Sequence, residues 1–219
     1  MKGLYIGLMS GTSLDGIDFC LSEFQFLNSK WEYSILASET ISYNDYWLEG
    51  LVKAEQSRGS DLIRLHVEYG HYLGNLSKTF LDSRNQSTDL IASHGHTIFH
   101  QIDKGFTFQL GHGASIAASS EIKTVSDFRS LDVALGGQGA PLVPFGDQLL
   151  FNDYSFCLNL GGIANVSYQK DQKQIAFDIA PANMILNYLC KEDGIGDYDD
   201  KGAFSKSGNR NEKLLNQLN

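Results

Sequence analysis

The chain is predicted to be an α/β protein built as two units, and three observations carry that prediction. Apolar runs of strand length alternate with longer helical patterns. Glycines gather at Gly7, Gly11 and Gly16, then at Gly136, Gly137 and Gly139, then at Gly161 and Gly162, each cluster following an apolar run. The order strand, glycine turn, strand, hairpin, strand, helix is met from the N-terminus and again from Phe156. The repeat is one of architecture, not of residues.

The elements follow in order. Residues 4–9, LYIGLM, read as a buried strand. The opening MKGLYIGLMSGTS has some signal-peptide character, but its apolar run is short and glycine-rich, and polar residues stand where a cleavage site belongs. IDFCLSEFQF, 17–26, alternates well enough for a second strand, and Trp31–Tyr43 for a bulged third, completing an antiparallel meander. From Asp61 to Leu81 the apolar residues Leu62, Leu65, Tyr69, Tyr72, Leu73, Leu76 and Phe80 step by helical spacing, with Ser60 as a suitable N-cap. A strand over 89–100, a short strand Phe106–Leu110, a helix Gly113–Ser120 and a strand Thr124–Phe128 come next. Residues 1–150 are expected to form the first domain. Residues 151–219 then begin a second, with FCLNL, the Gly161-Gly162 turn, IANVSYQ, a hairpin at Lys170–Lys173, QIAFDIA, and a helix Asn183–Lys191. A polar stretch, YDDKGAFSKSGNRNEKLLNQLN, follows to Asn219. A three-stranded meander with one helix buries little, so the chain is expected to stop inside its second domain.

Composition narrows the function. Of 219 residues, 42% are hydrophobic and 20% charged, ordinary for a globular protein. No apolar run reaches the roughly 18 residues of a membrane span. The formal net charge of −9 repels phosphate backbones, so nucleic acid is not an expected partner. Cys20, Cys157 and Cys190 are an odd, widely spaced set, which fits a reducing cytoplasm better than a disulfide framework or a zinc knuckle.

The motifs carry more. GTSLDGID, 11–18, combines free backbone, the hydroxyls of Thr12 and Ser13, and two acidic residues. Such a turn forms an anion nest, with a carboxylate placed for Mg²⁺ and not for phosphate itself. No Gly-Lys-Ser/Thr is present, so it is not a Walker A loop. A plain hairpin turned by Asp15-Gly16 explains the same residues about as well. LGGQGAPLVP, 135–144, is a loop whose backbone something approaches, or an interdomain hinge, stiffened by Pro141 and Pro144. LNLGGIANVS, 158–167, mirrors the first turn and adds Asn165 and Ser167; a Gly-Gly hairpin is the simpler account. FDIAPANM, 177–184, puts Asp178 at a strand end, where it suits a general base, or merely a turn or helix cap. In HGHTIFH, 94–100, His94 and His96 would share a strand face, but no further ligand sits at zinc spacing. Arg129 in DFRSLD is an anion-binding candidate, though a lone arginine is usually surface.

Taken together, MSGTSLDGID (9–18), SHGHTIFH (93–100), DFRSLDVALGGQGAPLVP (127–144), LNLGGIANVS (158–167) and FDIAPANM (177–184) resemble the anhydro-N-acetylmuramic acid kinases of bacteria, in that family's order and spacing. The resemblance implies a duplicated actin/Hsp70-like (ribonuclease H-like) ATPase fold, here an N-terminal domain plus an incomplete second one. Two such units would face each other across a cleft with a glycine turn on each side. It also implies ATP and Mg²⁺ as cofactors and an amino-sugar substrate. In such a kinase, water opens the anhydro bridge of 1,6-anhydro-N-acetylmuramic acid as O6 takes the γ-phosphate, in cytoplasmic cell-wall recycling. By the same resemblance Asp178 matches the catalytic base. Gly11, Thr12, Ser13, Leu14, Asp15, Gly16, Ile17 and Asp18 match the ATP loop, Asp15 as a magnesium ligand, with Gly161 and Gly162 opposite. His94, Arg129, Gly137, Gln138, Asn165 and Asn183 match the sugar side, and a homodimer is a further expectation. The sequence departs from the family pattern at DIAPAN, 178–183, where DTGPGN is common, and at His96, where Gln is frequent. Family members also continue past Asn219 with a further Gly-rich nucleotide segment, so this chain is expected to be a partial or inactive form. A non-catalytic sugar or nucleotide binder, and a chaperone- or actin-like ATPase, are the alternatives.

Overall fold

A computed structural model describes residues 2–11, 14–140 and 142–218, leaving Thr12, Ser13 and Pro141 of the predicted motifs outside the described residues. The chain divides into two compact units, Met1–Asn152 and Asp153–Asn219.

The first unit is organised on a six-stranded sheet. Strands β1 (Lys2–Ser10), β2 (Ile17–Leu27) and β3 (Lys30–Ile41) form the expected antiparallel meander. A register shift between Leu21 and Ser22 supplies the bulge. β4 (Leu90–Gln101) then lies parallel to β1, and β6 (Thr124–Ser126) parallel to β4. The order is therefore β3-β2-β1-β4-β6, with β2 antiparallel to its neighbours, a ribonuclease H-like α/β sheet. β5 (Phe106–Leu110) folds back on the far half of β4 as a hairpin.

β4 can serve two sheets' worth of partners because it is broken in the middle. Ile91–Ser93 pairs with β6, and His96–Gln101 with β5. Between them Gly95 takes φ +75°, and a Cβ there would lie 2.1 Å from the Leu110 carbonyl oxygen. Only glycine passes that point.

The apolar face of the sheet, with Ile6, Leu8, Ile17, Phe19, Leu21 and Ile91, is covered by helices. α1 (Asp45–Lys53) is capped by Asn44, whose side chain accepts from the Trp47 amide. Its apolar stripe is short, with only Trp47 and Leu51 buried, so periodicity in the sequence does not announce it. Trp47 stacks on Tyr72 and meets Tyr69 edge-on, with centroids 4.7 and 5.1 Å away. α2 (Gly59–Asp82) starts two residues before its predicted first residue, Asp61. Its N-cap is Arg58, whose carbonyl accepts from the Leu62 amide, so Ser60 falls inside the first turn and caps nothing. α3 (Gly113–Ser120) packs very close to α2, for a reason that counting apolar residues misses. A Cβ at Gly70 would meet the His112 carbonyl at 2.6 Å, and one at Gly74 the Ile116 carbonyl at 2.6 Å.

Two short helices complete the unit, one where the sequence predicts no element and one where it predicts a loop. α4 (Ser130–Ala134) follows Arg129, and α5 (Leu142–Leu150) begins inside the predicted 135–144 loop, with Pro144 tolerated in its first turn.

The second unit holds β7 (Cys157–Leu160), β8 (Ile163–Lys170) and β9 (Lys173–Pro181) as an antiparallel sheet, then α6 (Asn183–Glu192), α7 (Ala203–Ser207) and α8 (Glu212–Leu218). Asp171 and Gln172, both at positive φ, turn the β8–β9 hairpin. Among the described residues, no helix is long and apolar enough to cross a membrane.

Candidate functional site

β1 and β6 end on either side of the middle of β4, where that strand is broken, and the candidate site residues gather there. In open α/β sheets the carboxyl ends of strands are where ligands bind.

The loop after β1 runs from Gly11 to Gly16, between the paired residues Ser10 and Ile17. Six residues separate the strands, so Asp15-Gly16 is not the two-residue hairpin turn that the simpler reading required. The Leu14 amide donates to the Gly11 carbonyl at 3.3 Å, and Leu14 sits at φ +59° with its side chain against the core. A leucine in the left-handed region is strained, and such strain gathers at functional turns. Asp15 and Asp18 are exposed beside the loop, and Asp18 accepts from the Thr40 hydroxyl at 2.6 Å.

Ser10, the last residue of β1, is buried beneath this loop. Its hydroxyl lies 2.5 Å from that of Tyr43 and 2.9 Å from Nδ1 of His96, and Tyr43 lies 2.7 Å from the Tyr69 hydroxyl. Burial holds both tyrosines above the usual phenol range. Burial, with His94 adding to it, pushes His96 down to about 4, so its ring is neutral near pH 7.

At the break in β4, Arg129 donates from Nε to His94 Nε2 at 2.9 Å and from Nη1 to the Gly139 carbonyl. A guanidinium only donates, so His94 Nε2 must carry a lone pair. The ring proton therefore sits on Nδ1, which donates to the Gly95 carbonyl at 2.9 Å. Burial first, then Arg129, lowers the His94 pKa and keeps it neutral. The bulge at Gly95 sends the two histidines to different partners, so they do not act as the same-face pair the strand pattern suggested. The glycine loop wraps Asp132: the Gly139 amide donates to its carboxylate at 2.6 Å and the Gly137 amide to its carbonyl at 2.8 Å. Gln138 is exposed at the loop's tip.

The second unit presents a different arrangement. Asn165 pairs with Asn159 on β7 and with Asp178 on β9, so a polar rung crosses the three strands. Directly opposed residues face the same side. The register shift between Ala164 and Asn165 leaves Ile179 as the extra residue beside Asp178, a position where bulges re-aim side chains. Gly161 and Gly162 are committed in part: their carbonyls accept from the amides of Ala182, Asn183 and Met184, and so cap α6. Asn183 also donates from its side chain to the Leu160 carbonyl at 3.0 Å.

Sequence reasoning missed Asn159, Tyr43, Tyr69 and Asp132. Asn159 needed the strand register, and the tyrosines read as core. Asp132 could have been found, since it stands in the same DFRSLD segment as Arg129.

Comparison with known proteins agrees with these segments. The family model described as AnmK, anhydro-N-acetylmuramic acid kinase, matches residues 3–219. A protein of that name from Hydrogenovibrio crunogenus is 38% identical over 98% of this chain and 60% of its own length. One from Bacillus thuringiensis subsp. konkukian is 35% identical over 96% of this chain and 60% of its own. Among solved structures, the ethanolamine utilization protein EutJ from Carboxydothermus hydrogenoformans covers 90% of this chain and 58% of its own at TM-score 0.36 and 11% identity. This chain thus spans about 60% of the length of the curated relatives it matches, and with a family model matched over nearly all of its residues it belongs to the anhydro-N-acetylmuramic acid kinase family.

Proposed function

We propose that this chain supplies the phosphate loop, the sugar contacts and the base of an ATP-dependent kinase. The reaction converts 1,6-anhydro-N-acetylmuramic acid and water to N-acetylmuramic acid 6-phosphate in cytoplasmic cell-wall recycling. The observation that supports it most is that Ser10, the residue before the Gly11–Gly16 loop, is paired with and bonded to His96, two residues along β4 from the His94 that holds Arg129.

In this reading the backbone of residues 11–16 receives the phosphates. Asp15 and Asp18 give oxygen donors suited to a hard cation, so the residues present fit Mg²⁺. When bound, that ion neutralises charge on the transferring phosphoryl group. Arg129 keeps Nη2 for the sugar while its other nitrogens hold it in place, and neutral His94 serves as its anchor. Gly137, Gln138, Asn165 and Asn183 complete the sugar side, and Gly161 and Gly162 offer their amides to the nucleotide. Asp178 takes a proton from water as the oxygen attacks the anomeric carbon and the bridge C–O bond breaks. O6, released from the bridge, receives the γ-phosphoryl group and ADP leaves.

The test is calorimetric. The chain is titrated with Mg·ADP and, separately, with the anhydro sugar. Arg129→Ala is expected to weaken sugar binding at least about tenfold, or ~1.4 kcal/mol, and to leave nucleotide binding unchanged. Sugar binding that survives the substitution intact sinks the assignment of Arg129.

A further inference from the structure

We infer that Tyr43 is a positioning residue for the phosphate loop, acting through a buried chain of hydroxyls that ends on His96. The inference rests on the reading of residues 11–16 as the phosphate turn.

Four side chains make the chain, from three elements and one connection. Ser10 closes β1, Tyr43 lies between β3 and α1, Tyr69 is in α2 and His96 is in β4. All are nearly inaccessible: Tyr69 is 0%, Ser10 3%, His96 4% and Tyr43 8% exposed. The links are 2.7 Å from Tyr69 to Tyr43, 2.5 Å from Tyr43 to Ser10 and 2.9 Å from Ser10 to His96 Nδ1. The assignment in which each hydroxyl donates once runs from Tyr69 through Tyr43 and Ser10 to Nδ1, with the ring proton of His96 on Nε2. Tyr43 is the central link. The carboxylates of Asp15 and Asp18 add slightly to the upward push that burial gives its phenol.

The arrangement has a purpose that packing alone would not need. A core of this kind is most stable when apolar, and a buried polar network adds value only when fully satisfied. Here each hydroxyl has a partner, and the network ties the last residue before the loop to the β3–α1 connection, to α2 and to β4. Ser10 therefore cannot rotate or shift without breaking two hydrogen bonds, and the strained turn at Leu14 begins from a fixed point. Preorganised amides are what phosphate binding requires. Protonation of His96 at Nδ1 would remove the only acceptor at the end of this run and force the three hydroxyls to reverse. The charged and titratable groups around that ring are His94, itself held neutral against Arg129, and the two tyrosines.

Amide hydrogen exchange of the whole chain, read by mass spectrometry over residues 10–17, tests this without nucleotide. Tyr43→Phe and Tyr69→Phe are expected to speed exchange of that segment by about tenfold or more, with β7–β9 unchanged as the internal control. His96→Gln keeps an acceptor for Ser10 and should leave the segment near wild type, while His96→Leu should loosen it. In the wild type, after correction for intrinsic rates, the segment should loosen as pH falls through 4, and His96→Gln should erase that inflection. Mg·ADP titration forms a separate arm, in which Tyr43→Phe weakens binding by about tenfold and His96→Gln changes it by less than about twofold. If wild type binds no nucleotide, the phosphate-turn reading fails while exchange still judges the positioning. If both tyrosine variants leave residues 10–17 exchanging as in wild type, the positioning role is overturned.

Discussion

Arg129 has no lone pair to offer, and that single fact sets the state of His94. The pair is asymmetric, since the arginine stays charged while the imidazole must stay neutral to accept from it. Acid should therefore act on the histidines first. His66, His94 and His96 all titrate below the ordinary imidazole value, in each case chiefly through burial. A depressed folded-state pKa means that the unfolded chain takes up protons first. The stability involved is fully present above pH 6.5 and is lost as pH falls toward the folded values. His96, at about 4, accounts for roughly 2 kcal/mol between pH 7 and pH 5. Urea unfolding at the two pH values should show the drop, and His96→Gln should remove that share; an equal drop in the variant counts against burial of His96 as the cause. At this scale the sequence spoke unevenly. Arg129 and His94 stand in segments with a chemical signature, and both are found at one site. Tyr43 and Tyr69 stand in apolar stripes, and no periodicity tells a phenol that packs from one that also donates.

Among the elements, β4 is the one whose failure would travel furthest. Its two halves pair with different strands, and Gly95 is the joint. Gly95→Ala would place a methyl carbon 2.1 Å from the Leu110 carbonyl in a backbone conformation that alanine avoids. The expected cost is about 2–4 kcal/mol, combining strain and a backbone shift, with loss of the Arg129–His94 contact. Thermal melts and the His94 ring signals in NMR would check it; an unshifted midpoint would contradict the joint. Helix contact offers a second case. Gly74→Val should part α2 from α3 and cost about 1–3 kcal/mol, because the added carbons meet backbone rather than flexible side chains. The strands were legible because their apolar runs are long and their turns are marked by glycine or by short polar pairs such as Asn28-Ser29 and Asp171-Gln172. α1, α4 and α5 were not, being short elements in which one or two buried residues carry the packing. The close α2–α3 approach was invisible for the opposite reason: a glycine in a helical pattern reads as a weakness until its neighbour is known.

The whole molecule distributes its core unequally. Among the described residues, the only buried apolar ones in the second unit are Ala164 and Cys190, and Phe156, Leu158, Leu160, Phe177, Ile179, Met184 and Leu186 there are exposed. Amides of β7–β9 should accordingly exchange faster than those of β1, β2 and β4, and unfolding should proceed in two steps; a single cooperative transition with equal protection would refute this. The twofold architecture was readable from the order of turns and strands, which local sequence specifies. The polar rung at Asn159, Asn165 and Asp178 was not, since it exists only once a register is chosen. One feature also makes the protein its own instrument. Trp47 is one of two tryptophans in the chain, is 6% exposed, and lies against the ring of Tyr69, the far end of the hydroxyl chain. Its emission colour and lifetime should follow what happens beneath the glycine loop, so occupancy of that loop can be watched by light with no label attached.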